Sequence, residues 1–246
     1  MPPANVGDTK TSPLDYYTFP LPVEKRDMTE DLSGLEDAFI ILGGGGIIHI
    51  PSPDYNNGVI GHLKEIENLG KRRVIWGAGH NVHFDPPYSG TCIPPKLSDN
   101  AYNALKIHPD LSTYELIGLR DFYYPFKDTY VPCVSCKDKV FLDKFPTGSG
   151  TGAVLHQQHA NKTVYPEIYC EQSPFEEVIE FIKSFQTIVT DSFHAMYWTE
   201  LMDKEVILHN VRSTKFLLHK RTTLQECIKL NDSFYHQVLR CIDNYD

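Results

Sequence analysis

The chain of 246 residues lacks most of the features that would reveal its class at a glance. No window approaches eighteen consecutive apolar residues, so no membrane-spanning helix is expected. Met1-Pro2-Pro3-Ala4-Asn5-Val6-Gly7-Asp8 has no basic stretch backed by an apolar one, and the expectation is a cytoplasmic chain without a leader. Lys and Arg number 23 against 32 Asp and Glu, giving a net charge of −9. The cations are scattered rather than gathered in runs, so no nucleic-acid partner is expected, and any anionic ligand needs a local cluster. Six cysteines (Cys92, Cys133, Cys136, Cys170, Cys227, Cys241) are too few and too spread for a disulfide framework at this length. Cys133-Val134-Ser135-Cys136 has no second ligand pair at zinc-ribbon spacing, and packing is expected there rather than metal or redox chemistry. Eleven histidines form no HxxxH or HExxH, so no metal site is expected.

What remains is a folded α/β pattern. Hydrophobic residues make up 41% of the chain and aromatics 12%, enough for a substantial core. Ile40-Ile41-Leu42-Gly43-Gly44-Gly45-Gly46-Ile47-Ile48 and Val74-Ile75-Trp76-Gly77-Ala78-Gly79-His80-Asn81 are each an apolar β-type run meeting glycines. Buried parallel strands deliver their C-terminal ends to a ligand crevice, where glycine permits close backbone approach. Between the two runs, Val59, Ile60, Leu63, Ile66 and Leu69 have helical spacing, with Gly70 as a C-cap, which predicts a βαβ unit. Further strands are predicted over 115–119, 153–156, 187–190 and 205–208. Helices are predicted from Ser173-Pro174, with proline at N1, to about Ser184, over 192–202, and beyond Leu224. Phe145-Pro146-Thr147-Gly148-Ser149-Gly150-Thr151-Gly152 is the best linker candidate, dividing the chain into Rossmann-like domains of residues 1–145 and 146–246 that face one cleft.

Several strand ends carry chemistry. Thr190-Asp191-Ser192-Phe193-His194 sits where a strand turns into a helix, a corner that attracts anions and lets a histidine exchange a proton with a bound phosphate. The plain alternative makes Asp191 an N-cap and His194 a partly buried surface residue. Ser192 and His194 point to different helix faces, which excludes a hydrolase triad from this segment. Arg120 ends a predicted strand, and Arg212, Lys215 and Lys220 follow another. Such an arginine can clamp a carboxylate or phosphate, or simply pair with its neighbour Asp121. The run Gly43 to Gly46 lacks both GxGxxG and GK[ST], and a tight turn explains it equally well.

In order along the chain, Asn5-Val6-Gly7-Asp8, Leu42-Gly43-Gly44-Gly45, Trp76-Gly77-Ala78-Gly79-His80-Asn81, Leu119-Arg120-Asp121 and Thr190-Asp191-Ser192-Phe193-His194, with Lys215-Phe216, resemble the polysaccharide pyruvyl transferase family. The resemblance implies a GT-B-like fold of two Rossmann-like halves. It also implies transfer of pyruvate from phosphoenolpyruvate onto a saccharide acceptor to form a ketal, with no further cofactor. His194 and Asp191 are then the candidate catalytic residues. Asp8, Gly44, Gly45, Gly79, His80, Asn81, Arg120, Ser192, Arg212 and Lys215 are the candidate substrate contacts. Ser192 stands where many members have arginine, and no strand precedes Asn5, which implies a trimmed N-terminal half. Two other functions fit the same pattern, a GT-B glycosyltransferase using a nucleotide sugar and a non-catalytic glycan-binding relative.

Overall fold

The computed structural model describes residues 5–28, 30–48, 65–69, 72–91, 111–122, 130–143, 145, 147–157 and 162–244. Cys92 and most of the helix expected before Gly70 lie outside them, although 65–68 are helical.

The fold is mixed α/β, built on two mainly parallel sheets. In the first, β3 (Arg72–His80) is central, with β1 (Phe39–Leu42) and β2 (Gly45–Ile48) pairing successively along one edge and β5 (Leu116–Leu119) along the other, all parallel. Both faces of this sheet are covered, which is why β3 reads as a continuous apolar run rather than an alternating one. Ile75 and Ala78 pack with Leu42, Ile48 and Leu119 on one face, and Val74 and Trp76 meet Phe234, Val238 and Ile242 on the other. The structure differs from the sequence reading at the glycines. Gly77 and Gly79 lie inside β3, and Gly45 and Gly46 open a strand of their own rather than a turn.

The second sheet has the order β4 (His83–Thr91), β9 (Glu205–Ser213), β8 (Thr187–Thr190), β6 (Thr151–Leu155), β7 (Glu167–Tyr169), with only β4 antiparallel. Helices α2 (Phe175–Ser184) and α3 (Phe193–Leu201) cover one face through Val178, Ile179, Ile182, Met196 and Trp198. Pro174 is the N-cap of α2 rather than its N1 residue, so Ser173 lies outside the helix. Strands β4 and β7 escaped the sequence reading, because β4 carries Pro86 and Pro87 and β7 has only three residues.

The sheets exchange elements across the 145/146 division. Strand β4, from the first segment, pairs with β9, while α4 (Leu224–Asp243), from the last, packs on the first sheet. Asn231 of α4 anchors this packing by accepting from Trp76 Nε1 at 2.7 Å and donating to Pro132 O at 3.2 Å. A short helix, α1 (Val6–Thr9), is held against the second sheet's connections by Val6 N–H donating to Cys170 O at 3.1 Å.

Candidate functional site

The C-terminal ends of β3, β5, β6 and β8 carry His80, Arg120, His156 and Asp191, and the following turns add Phe193, His194 and Lys215. Loop residues after parallel strands are where an α/β fold presents polar groups to a ligand.

Arg120 is the centre of this arrangement. It is 3% exposed, and its Nε and Nη1 make no hydrogen bond among the described residues. Its guanidinium lies 4.0 Å over the Phe193 ring, and burial pulls its pKa below the ordinary value while Asp121 and Asp8 oppose that shift. Arginine cannot shed its proton, so a buried, underbonded positive charge remains; the ring recovers about 2 kcal/mol of the lost solvation at most. The expected ion pair with Asp121 does not form. Asp121 Oδ2 instead accepts from the His80 backbone N–H at 2.8 Å and pairs with His80 Nδ1 at 2.6 Å, in a pair excluded from solvent. Gly79 makes the close approach possible, since a Cβ there would stand 2.5 Å from Arg120 Nε and 3.1 Å from Asp121 Oδ1. Gly79 therefore admits Arg120 rather than presenting its own backbone to a ligand.

His194 lies in the first turn of α3 and is 5% exposed. Gly7 of α1 presses on it so closely that a Cβ at position 7 would overlap the imidazole. Its Nε2 is 3.7 Å from Cys133 Sγ. Burial, Arg120, Lys215 and His156 hold its pKa well below the ordinary value, so the ring is neutral at neutral pH. A ready imidazolium is thus not what this corner offers. Lys215, in the turn after β9, is pushed down to about 8 by burial and Arg120, with Asp8 and Asp191 opposing.

The other expected residues divide into two groups. Asp8 is exposed on α1, with Oδ1 3.9 Å from where a Gly45 Cβ would be, and its charge is felt at Arg120 and Lys215. Asn81 accepts from Ser213 Oγ at 2.6 Å, and a Cβ on Gly46 would stand 3.1 Å from Asn81 Cβ and 3.4 Å from Arg120 Nη2. These belong with Arg120. Ser192, by contrast, is 2% exposed and spent on structure as the N-cap of α3, its Oγ accepting from Ala195 N–H at 3.5 Å. Asp191 is not the cap; its Oδ1 accepts the His156 N–H at 2.6 Å. Gly44 gives its N–H to Thr11 O at 3.3 Å. Arg212 is exposed on β9, between the buried Val211 and Ser213, and strand alternation turns it away from the Ser213–Asn81 contact.

His156 is the functional candidate that sequence reasoning passed over. Asn5 Oδ1 accepts the Gly7 N–H at 2.9 Å, which leaves Asn5 Nδ2 to donate to His156 Nε2 at 2.8 Å and His156 Nδ1 to face Glu171 Oε1 at 3.3 Å. The strand-end criterion that selected Arg120 would have selected this residue too.

Among the described residues no group of His, Cys, Asp or Glu is placed to hold a metal ion, and no helix is long and apolar enough to cross a membrane. A hollow of about 300 Å³ lined by Phe145, Gly148, Lys204 and Glu205 lies where β9 begins, at the strand end remote from Lys215. No family model matches the chain, and neither the curated proteins nor the solved structures contain a match.

Proposed function

We propose that this chain is a pyruvyl transferase, moving pyruvate from phosphoenolpyruvate onto a sugar of a polysaccharide or glycan, on a GT-B-like fold of two Rossmann-like halves. The proposal includes a cytoplasmic setting and two halves, residues 1–145 and 146–246, that exchange β4 and α4 across their boundary. The observation that carries it is the buried Arg120 guanidinium, with Nε and Nη1 unbonded, beside Lys215 and His194 in a chain of net charge −9. An acidic protein that buries such a charge gains from an anion that completes it. Phosphoenolpyruvate bears a carboxylate and a phosphate, which suits one planar guanidinium and one mobile ammonium. The ordered motifs from Asn5 to Lys215 give the reading its chemical class.

In the reaction, the methylene carbon of the enol takes a proton and becomes a methyl group, and the adjacent carbon takes on oxocarbenium character. Two hydroxyls of the acceptor add to that carbon as the C–O bond to phosphate breaks. One hydroxyl proton replaces the proton given to the methyl, and the other leaves with phosphate. Arg120 and Lys215 hold the donor and draw charge onto the departing phosphate. Burial first, and these two cations after it, hold the His194 pKa down; a bound trianion offsets the cations and lets His194 carry the proton to carbon. Asp191 and Asp8 serve on the acceptor side.

Calorimetric titration with phosphoenolpyruvate, UDP-sugar and GDP-sugar tests the reading, with Arg120→Ala as control. Binding of phosphoenolpyruvate, weakened by that substitution, is the expected result. Binding of a nucleotide sugar alone moves the protein to the glycosyltransferases, and binding of neither points to a non-catalytic relative.

A further inference from the structure

We propose that His80 is a positioning residue that withholds the Asp121 carboxylate from Arg120 and so keeps the guanidinium open for a bound anion; the inference rests on Arg120 being the anion hook of the preceding section. Arg120 and Asp121 are chain neighbours, 3% and 1% exposed. Arg120 Nε and Asp121 Oδ1 stand 2.5 and 3.1 Å from the point a Gly79 Cβ would occupy, so they border the same small space without closing to an ion pair. A carboxylate and a guanidinium buried at such range ordinarily form a charge-assisted pair. Here Nε and Nη1 are unbonded among the described residues. The carboxylate is turned so that Oδ2 accepts two bonds from one residue, the His80 N–H at 2.8 Å and the His80 ring at 2.6 Å. Because a carboxylate only accepts, the ring nitrogen Nδ1 is the donor.

His80 is fixed by its own strand. It is the last residue of β3, fully buried, and pairs in register with Ile48 of β2. The following residue, Asn81, donates its N–H to Ile48 O at 3.0 Å. The carboxylate is therefore held by a rigid donor on β3 while the arginine beside it extends toward Gly46 and Asn81. Loss of the imidazole donor leaves the carboxylate on the backbone N–H alone, so that its other oxygen can turn toward Arg120 and compete with an incoming anion.

The test is titration with inorganic phosphate at fixed ionic strength, with phosphoenolpyruvate run in parallel. His80→Ala is expected to weaken phosphate binding on the order of tenfold, the weight of one hydrogen bond to a charged group. His80→Asn, whose amide can donate to Asp121 from a similar place, recovers most of that loss. Asp121→Asn combined with His80→Ala restores affinity, because no charge remains to compete; general damage to the fold would instead make the double variant worse. Wild-type affinity in His80→Ala, or a double variant as weak as the single one, overturns the inference. So does a wild-type protein that binds no phosphate. If the phosphate series behaves as expected but phosphoenolpyruvate binds no better than phosphate and releases none in the presence of saccharides, the inference stands and the pyruvyl transferase reading falls.

Discussion

Two arginines are buried in the first sheet, at opposite ends of its strands, and they are treated differently. Arg73, the second residue of β3, is 9% exposed; its Nη1 donates to Leu69 O at 2.8 Å, its Nη2 donates to Thr113 O at 3.3 Å, and the Tyr114 ring lies 5.8 Å away. Arg120 follows β5 at 3% exposure and has an aromatic ring but no bond at Nε or Nη1. Backbone carbonyls take both terminal nitrogens of the first arginine, so its charge holds loops onto the strand ends, although its Nε is unbonded among the described residues as Arg120 Nε is. The second is left incomplete although a carboxylate is adjacent in sequence. A fold that bonds both terminal nitrogens of one buried guanidinium and, among the described residues, neither of another separates a structural charge from one reserved for a ligand.

The widest gap between these arginines is expected in thermal unfolding. Arg73→Ala strands two carbonyls and opens a hole at the base of β3, for a loss of about 3 kcal/mol and a drop in Tm of several degrees. Arg120→Ala removes an undersolvated charge, and Tm is expected to hold or rise. A large loss in Arg120→Ala would make both arginines structural. Gly79→Ala comes next, because its methyl group pushes against Arg120 Nε at 2.5 Å. A cost of about 2 kcal/mol in unfolding and a matching loss of phosphate affinity are expected, and the combination with Arg120→Ala should recover most of the stability.

Lys215 sharpens the contrast through pH. Its pKa falls from 10.5 to about 8 on folding, so the unfolded chain binds the extra proton between those values and stability rises with pH from about 8 to 10.5. Phosphate affinity runs the other way, declining as pH climbs through about 8 and the ammonium deprotonates. Lys215→Met should flatten both slopes, and denaturant unfolding with calorimetry across pH 7 to 10 reads them. The smallest effect is expected for Ser192→Ala, which removes the cap of α3. About 1 kcal/mol of stability should go, measured by denaturant midpoint, with phosphate affinity changed less than about twofold. A larger change in binding would return Ser192 to the ligand side.

Strand ends were the legible part of this site. Apolar runs ending at Leu119, Leu155 and Thr190 located the corners, and Arg120, Asp191 and His194 follow from them. Which corner residues are spent on the fold was not legible, because that depends on partners far away in sequence. Ser192 is a cap because α3 begins after it, and Asp121 is occupied by a histidine 41 residues earlier. The sequence offers Gly79 as a strand-end glycine for a ligand and gives Gly7 no role of its own, yet the structure uses both as space for a side chain from another segment. Strand β4 was invisible for a related reason. Its prolines argue against pairing, and only an edge position beside β9 accommodates them.

The central claim is that Arg120 is kept incomplete for an anionic donor, and the most direct measurement is phosphoenolpyruvate affinity by calorimetry in wild type, Arg120→Ala and Arg73→Ala at a temperature where all three are folded. Loss of about a hundredfold in Arg120→Ala, with Arg73→Ala within about threefold of wild type, is the predicted result. Equal affinities in Arg120→Ala and wild type would contradict it.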